Sequence, residues 1–213
     1  MRKYAPQAED WTERAYADAE AYLAHRADLV VELGPRLEPG DEVLDLACGD
    51  AGLGDLLLGR GFGYRGVDST PEMVAAAQNR LAGRAPVDHG DLNDYVPPAP
   101  VAATTVFRAI YYAHDRAAFF RQVASYTEKK LVFDLNPRQY RLADVVADLR
   151  AAGLERIALR PFFVPQTVSL PRPAVSLARV LERSGPLAKL ALRVRFTYLV
   201  AASRPARRAG SPR

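Results

Sequence analysis

Short apolar runs alternate with helix-like runs from Val43 onward, and this alternation restricts the possible folds more than any other feature of the sequence. Strands are predicted over 43–47, 64–67, 86–89, 104–107, 130–134 and 155–160. The stretches between them predict helices, one of which opens with Thr70 as N-cap and Pro71 at its first position. Such strand–helix–strand units produce a mostly parallel, doubly wound α/β sheet with helices on both faces.

The flanking regions differ from this central pattern. Residues 8–34 are rich in Ala, Glu and Leu, contain no internal Pro or Gly, and predict one or two helices. Prolines break the chain after residue 160, a helical stretch is predicted over 175–192, and a final strand over 194–201. The predicted organisation is an N-terminal helical cap over 1–40, a main domain over 41–202 with an insertion at about 161–192, and a disordered basic tail over 203–213.

Composition excludes several classes of protein. The 213 residues suit a single α/β domain, and no apolar run is long enough to span a membrane. Four arginines lie in the tail, and removing them from the 29 basic residues leaves 25, equal to the 25 acidic ones. A neutral body disfavours nucleic acid as a partner, although a tail that contacts an anionic surface stays open. The single cysteine and the absence of a signal-peptide pattern predict a cytoplasmic protein.

The stretch VLDLACGDAGLGDLLLGRGFGYRGVDST, residues 43–70, predicts a nucleoside site. Ligands of parallel sheets bind at the carboxyl ends of strands, where small residues let the backbone come close. Asp68 ends the second strand nineteen positions after Gly49, which is close to the spacing typical of an acid that binds ribose hydroxyls. Asp50 lies where a dinucleotide would bring its diphosphate, and its charge favours a cationic cofactor instead.

These residues resemble motif I of the class I S-adenosylmethionine-dependent methyltransferases, with Asp45 as the motif's acid and Ala47, Gly49 and Ala51 at its glycine positions. "GVDST-PEM" resembles the motif that follows, and "GDLNDY" resembles the third. The resemblance extends over nearly the whole chain. It departs from the family where alanine replaces glycine. Because a left-handed alanine is strained, we expect the helix after Ala51 to begin in a right-handed conformation.

The resemblance implies a Rossmann-like sheet of seven strands with the last one antiparallel, S-adenosylmethionine as the cofactor, and methyl transfer to an O, N or C atom of a small organic molecule. Asp68 would bind the ribose hydroxyls, Met73 would pack against the adenine, and Asp91 would meet its amino group. The implied cofactor contacts are Tyr16, Asp45, Ala47, Gly49, Asp68, Ser69, Met73, Asp91, Leu92, Asn93 and Arg108. Trp11, Tyr16 and Tyr22 either close over the cofactor or only pack the N-terminal helix onto the body.

The substrate is expected on the side of the fourth and fifth strands. Tyr112 and His114 are the candidates for catalysis, while Tyr111, Tyr112, Asn136 and Tyr140 are the candidates for substrate contact. Alternatively, the segment around His114 only packs, and Asp115 caps the next helix. Apolar residues of the insertion are predicted to form a substrate wall, with packing on the sheet or a partner subunit as the alternative (Phe162, Phe163, Val164 and Leu170). A polar end of the substrate would contact Arg108, Arg138 or Tyr140.

Methyl transfer needs mainly proximity and alignment, so no catalytic triad is required. Metal dependence is disfavoured because the fourth strand ends in Arg108 rather than an acid, and Asp134 and Asn136 fit pocket or cap positions better. Cys48 is interpreted as a small hydrophobe rather than a nucleophile. The main alternative function is a cofactor-binding protein without methyl transfer. Dinucleotide oxidoreductases and nucleic-acid methyltransferases are disfavoured by the glycine spacing and the neutral body, and a homodimer stays open.

Overall fold

The elements of the chain follow the predicted alternation of strands and helices. The computed structural model describes residue 8, residues 11–186, residues 188 and 190, and residues 197–205. The strands are β1 (Glu42–Leu46), β2 (Gly63–Asp68), β3 (Val87–His89), β4 (Val101–Val106), β5 (Thr127–Leu135), β6 (Arg156–Pro161) and β7 (Tyr198–Ser203). The described helices are α1 (Trp11–Ala15), α2 (Ala19–Glu32), α3 (Gly52–Gly59), α4 (Pro71–Leu81), α5 (Arg116–Tyr126), α6 (Leu142–Ala151) and α7 (Arg172–Arg183), with a 3-10 turn over Ile110–Tyr112.

All seven strands form one sheet, in the order β3-β2-β1-β4-β5-β7-β6. The first five strands pair in parallel, and β7 pairs antiparallel with both β5 and β6. The predicted doubly wound sheet with an antiparallel last strand is therefore confirmed. The strand order reverses between β1 and β4, and a crevice at the carboxyl ends of these two strands is the usual ligand site of such sheets.

Helices cover both faces of the sheet, so its central strands are largely buried. Every residue of β4 and of β7 is buried. On one face Val43 and Val132 pack with Val30 of α2 and Leu57 of α3. On the other face, Leu44 and Phe133 pack with Phe120 of α5 and Leu149 of α6. This two-sided burial holds the strand ends, and the residues that follow them, in fixed positions.

Aspartate side chains cap the N-termini of two helices. The Asp18 side chain accepts a hydrogen bond from the Ala21 backbone N–H (3.0 Å) and separates α1 from α2. The predicted N-terminal cap is thus two helices. Asp115 accepts one from the Ala118 N–H (2.9 Å) and begins α5, as the capping alternative for this residue predicts.

The expectation of a right-handed start after motif I is wrong. Ala51 is left-handed, with φ 59° and ψ 31°, and it is the N-cap of α3. Ala47 is left-handed as well, with φ 59°. Both alanines carry the strain that glycine would avoid, on the order of 1–2 kcal/mol each, because the surrounding packing holds the loop in the conformation usual for glycine.

The insertion does not form the predicted substrate wall. Its helix α7 ends at Arg183, and the rest of the predicted helix lies partly outside the described residues. Phe162 is buried against Tyr22 and His25 of α2, at ring-centroid distances of 4.8 and 4.9 Å, and Val164 is buried in the same cluster. The segment therefore packs on the cap, because its aromatic and aliphatic side chains cover an apolar face of α2.

The boundary of the predicted tail lies later than expected. Ser203, the first residue of that tail, is the buried last residue of β7, and the Arg204 guanidinium donates to the Ala124 carbonyl oxygen. The remainder of the predicted tail, residues 206–213, lies outside the described residues, as do residues 194–196 of the predicted final strand. No helix in the described part of the chain is long and apolar enough to cross a membrane.

Candidate active site at the carboxyl ends of the strands

A cleft of about 1080 Å³, its open mouth included, lies at the carboxyl ends of β1, β2 and β4 and under α1. Predicted site residues that line it are Tyr16, Asp45, Ala47, Gly49, Asp68, Ser69, Met73, Asp91, Leu92, Arg108, Tyr111 and Tyr112. The structure thus brings most of the predicted residues to one cleft, and their contacts with a ligand stay predictions.

Asp68 at the end of β2 is held by two backbone groups. Its carboxylate accepts hydrogen bonds from the Gly49 N–H and the Thr70 N–H, both at 2.9 Å. Burial raises the pKa of Asp68, while these two N–H groups act against that rise. The carboxylate therefore has a fixed orientation beside the glycine loop, and its remaining lone pairs can accept the two hydroxyls of a ribose. The site in this respect fits an adenosine cofactor.

Gly49 allows the closest approach between the motif I loop and the cap. It has φ 59°, and a Cβ atom there would lie 3.1 Å from Cδ1 of Trp11. Any larger residue would thus meet both backbone strain and the indole of α1.

Cys48, beside Gly49, is half-buried, and burial raises the pKa of its thiol well above the ordinary value. A neutral thiol is a poor nucleophile, which agrees with the interpretation of Cys48 as a small packing residue.

Asp45 is a buried acid of the cleft. Its carboxylate accepts hydrogen bonds from the Tyr64 hydroxyl at 3.0 Å and the Thr105 hydroxyl at 2.7 Å. Burial raises its pKa to about 6, although both hydroxyls and the nearby Arg26 favour the charged form. Asp45 therefore ties β1 to β2 and β4 and also contributes to the wall of the cleft.

Asp50 lines the cleft but holds the cap, a role the sequence did not predict. Both of its oxygens accept hydrogen bonds from Thr12, and the Arg80 guanidinium donates to one of them at 2.8 Å. Arg80 also donates to Glu13. The Asp50 carboxylate, which was expected to face a cationic cofactor, is thus already bound by Thr12 of α1 and Arg80 of α4.

The loop after β3 is only partly in the cleft. Asp91 and Leu92 line it, whereas Asn93, a predicted cofactor contact, does not. The Asn93 amide donates to Asp91 (2.7 Å) and to the Tyr112 carbonyl oxygen (3.2 Å), and it accepts from the His114 N–H (2.9 Å). Asn93 therefore joins this loop to the one after β4, because its side-chain amide bonds to the backbone of both Tyr112 and His114.

The segment after β4 brings a cation and two tyrosines to the cleft. Arg108 has a left-handed backbone with φ 54°, and its backbone N–H donates to the Asp134 carboxylate at 2.7 Å. The rings of Tyr111 and Tyr112 lie 4.4 Å apart. His114 is exposed and does not line the cleft, so the structure does not place it beside the other candidates.

Two predicted substrate residues lie outside the cleft. Asn136 accepts a hydrogen bond from the Arg138 N–H at 3.0 Å and so shapes its own turn. The Tyr140 ring lies 5.3 Å from the Arg116 guanidinium. Neither of these residues lines the cleft, and neither does Arg138. The turn after β5 bends toward α5. The mouth of the cleft is therefore lined by residues that follow β4 rather than β5.

Arg26 of α2 is a cleft residue that the sequence analysis missed. It is buried, donates to the Tyr16 hydroxyl (3.2 Å) and the Tyr22 hydroxyl (3.1 Å), and lies 3.5 Å from Asp134. Burial acts against its charge, but these two tyrosines and Asp134 together raise its pKa. An arginine on an alanine-rich helix gives no local signal of burial, so only the docking of α2 shows its position.

No group of three or more possible metal ligands occurs among the residues that the structure describes. Asp134, the acid considered for such a role, is occupied by the Arg108 backbone and by Arg26.

Comparison with known proteins agrees with this geometry. Residues 43–130, which carry β1 to β5 and the acidic strand ends, match the family model described as "Methyltransferase domain". A search of curated protein sequences finds no match.

Solved structures share the fold at low sequence identity. A chain in the complex between the Haloferax volcanii Trm112 methyltransferase activator and a methyltransferase is 18% identical, with a TM-score of 0.68 over 98% of this chain and 100% of that one. An S-adenosylmethionine-dependent methyltransferase from Clostridium acetobutylicum is 14% identical (TM-score 0.64, 92% and 96% covered). Magnesium protoporphyrin IX methyltransferase from Synechocystis, solved with bound cofactor, is 16% identical (TM-score 0.59, 96% and 89% covered). Residues 43–130 of the chain thus match a methyltransferase domain, and the chain as a whole shares the fold of solved S-adenosylmethionine-dependent methyltransferases.

Proposed function

We propose that this enzyme transfers a methyl group to a small organic acceptor bound beside the segment after β4. The observation that carries the proposal is the extent of the cleft: it continues past the acidic ends of β1, β2 and β3 to Phe107, Tyr111 and Tyr112. The cleft thus offers one surface to a nucleoside cofactor and a second, aromatic surface to an acceptor. The aromatic side chains favour an acceptor with an apolar or aromatic body.

Different residues of the cleft would contact the cofactor and the acceptor. Asp68 would accept the ribose hydroxyls, Asp91 and Met73 would contact the adenine, and the loop from Ala47 to Gly49 would let the backbone approach the rest of the cofactor. When bound, S-adenosylmethionine supplies a methyl group on a sulfonium, which an attacking atom can take in one displacement. The protein then has to align the attacking atom, and alignment supplies much of the rate enhancement.

Tyr112 is the candidate for orienting the acceptor or accepting its proton. Tyrosine hydroxyls can do both, and Tyr112 is the predicted catalytic residue that lines the cleft. His114 is not carried into this proposal because it is exposed outside the cleft. Small molecules are favoured over nucleic acid because the body of the chain carries equal numbers of acids and bases once the tail is set aside.

A metabolite panel tests this function. Thermal shifts are measured with S-adenosylhomocysteine bound, and each stabilising compound is then incubated with S-adenosylmethionine and examined for a methylated product by mass spectrometry. Tyr112→Phe should lower kcat/KM by about tenfold or more, the loss of one good hydrogen bond in the transition state. Tyr140→Phe is the matched control and should be unchanged. Compounds that bind but are never methylated would favour a cofactor-binding protein without transfer activity.

We also propose that transfer needs no metal ion. The segment after β4 presents a guanidinium to the cleft, and Asp134 is hydrogen-bonded to the backbone of that same segment. Turnover should therefore survive EDTA. Loss of turnover with EDTA, restored by magnesium, would contradict this proposal.

A further inference from the structure

Charge is unevenly distributed within the cleft. The acids come from the ends of β1, β2 and β3, and the cations come from α2 and the segment after β4. The acids are Asp45, Asp68 and Asp91, with Asp50 beside them already paired with Arg80, and the cations are Arg26 and Arg108. A cofactor with a sulfonium and an ammonium group carries net positive charge and suits the acidic half. The basic half then faces whatever approaches from the β4 side.

The two cations of the basic half are not equivalent. Arg26 lies 3.5 Å from the Asp134 carboxylate, and two tyrosine hydroxyls accept its hydrogen bonds. Its charge is therefore balanced inside the protein. For Arg108 no such anion is found among the described residues, and its Nη1 atom is buried without a hydrogen-bond partner. A buried, unsatisfied donor on a charged group costs free energy unless a ligand supplies the acceptor.

The surroundings of Arg108 hold its guanidinium toward the cleft. The guanidinium carbon lies 5.4 Å from the Trp11 ring and 5.8 Å from the Tyr16 ring, and aromatic faces of this kind stabilise a cation without neutralising it. The backbone at Arg108 has the left-handed φ of 54°, and the bond from its N–H to Asp134 holds this conformation. A non-glycine residue is strained there. The backbone strain, the unsatisfied donor and the two neighbouring aromatic rings thus all occur at Arg108.

We propose that Arg108 binds a carboxylate of the acceptor, so that the enzyme methylates an acidic small molecule. This inference rests on the proposed function and names its substrate class. The planar fork of a guanidinium matches a carboxylate through two parallel hydrogen bonds. Tyr111 and Tyr112 follow in the same segment, three and four residues after Arg108, so the acidic group and the body of one acceptor would contact one short stretch of chain.

Calorimetry with benzoate and its uncharged counterpart benzamide tests the proposal. Both probes are titrated into the protein with and without S-adenosylhomocysteine. Wild type should bind benzoate at least tenfold more tightly than benzamide. Arg108→Gln should remove that preference, and Arg108→Gly should do the same with a residue that accepts the left-handed backbone without strain. Arg121→Gln, which changes an exposed arginine of α5, should keep the preference.

The affinity for S-adenosylhomocysteine separates the two possible sources of the carboxylate. It should change by less than about threefold in both Arg108 variants. A loss of tenfold or more would overturn the proposal, because the guanidinium would then serve the cofactor's own carboxylate. Equal affinity for benzoate and benzamide in wild type would overturn it as well. These titrations involve no turnover, so failure of methyl transfer itself, seen in the metabolite panel, is a separate result.

Discussion

The Asp50 carboxylate accepts two hydrogen bonds from Thr12, one from its backbone N–H at 2.9 Å and one from its hydroxyl at 2.5 Å. Asp50 follows Gly49 in the motif I loop, and Thr12 is the second residue of α1. These bonds therefore join the cap directly to the floor of the cleft. Trp11 of the same short helix also lies close to Gly49, since a Cβ atom there would be 3.1 Å from its Cδ1 atom.

Asp50→Ala should release α1 and expose the Thr12 amide. A hydrogen bond to a charged group contributes about 1.5–3 kcal/mol, so native-state hydrogen exchange at this amide should speed up by about tenfold or more. Asp55→Ala, which removes an exposed acid paired with Arg84, is the control and should leave Thr12 protected. Unchanged protection of Thr12 in Asp50→Ala would show that packing of Trp11 alone holds the helix.

Asp68→Ala should weaken binding of S-adenosylhomocysteine by at least about tenfold, since it removes the acceptor for the ribose hydroxyls. Isothermal calorimetry measures the loss. Asp88→Ala is a matched control, because Asp88 is paired with Arg65 and lies outside the cleft. NAD should not bind to the wild type, and NAD binding equal to that of S-adenosylhomocysteine would contradict the assignment of the cofactor.

Lys130 should give the protein a pH-dependent stability. Its ammonium is fully buried and donates to the carbonyl oxygens of Val31 and Leu33 at the end of α2, and burial lowers its pKa from 10.5 to about 7. Between these values the unfolded chain holds the proton while the folded protein has released it. The free energy of unfolding should therefore rise with pH across this window, by up to about 1.4 kcal/mol per pH unit from this residue.

Urea unfolding of wild type and Lys130→Met from pH 7 to pH 10 checks this prediction. Subtracting the two curves isolates the lysine from tyrosines and Cys48, which also titrate at high pH. The variant should lose the upward slope, and Lys129→Met, which changes a lysine paired with Asp41 near the surface, should retain it. Parallel curves for wild type and Lys130→Met would mean that the two carbonyl groups keep Lys130 fully charged.

Ala82→Gly should stabilise the protein by about 0.5–1 kcal/mol. Ala82 is the exposed C-cap of α4 and is left-handed, with φ 49° and ψ 42°, a conformation that glycine adopts without strain. Ala75→Gly, at an exposed position inside the same helix, should instead destabilise by about 1 kcal/mol. Opposite signs in urea unfolding identify backbone conformation as the cause, whereas two losses would indicate that Ala82 is not strained.

Local sequence patterns are sufficient to predict the sheet and the position of the nucleoside site. Strand–helix alternation is a local pattern, and parallel pairing follows from it because each connection crosses the sheet. The spacing from Gly49 to Asp68 then requires that the two residues meet at neighbouring strand ends, and the structure joins them by a 2.9 Å hydrogen bond. Local order along the chain is sufficient for this inference.

Long-range contacts determine which polar side chains enter the cleft and which serve packing. Arg26 occupies an unremarkable helix position, yet docking of α2 buries it beside Asp134, a residue more than one hundred positions away. The Asp50 carboxylate accepts a hydrogen bond from Thr12 of the cap. Phe162 of the insertion packs against Tyr22 of α2 instead of lining the cleft. Whether a side chain is buried or paired depends on which helices and strands pack against each other. That packing is stabilised by contacts between residues far apart in the sequence, so a local pattern does not reveal it.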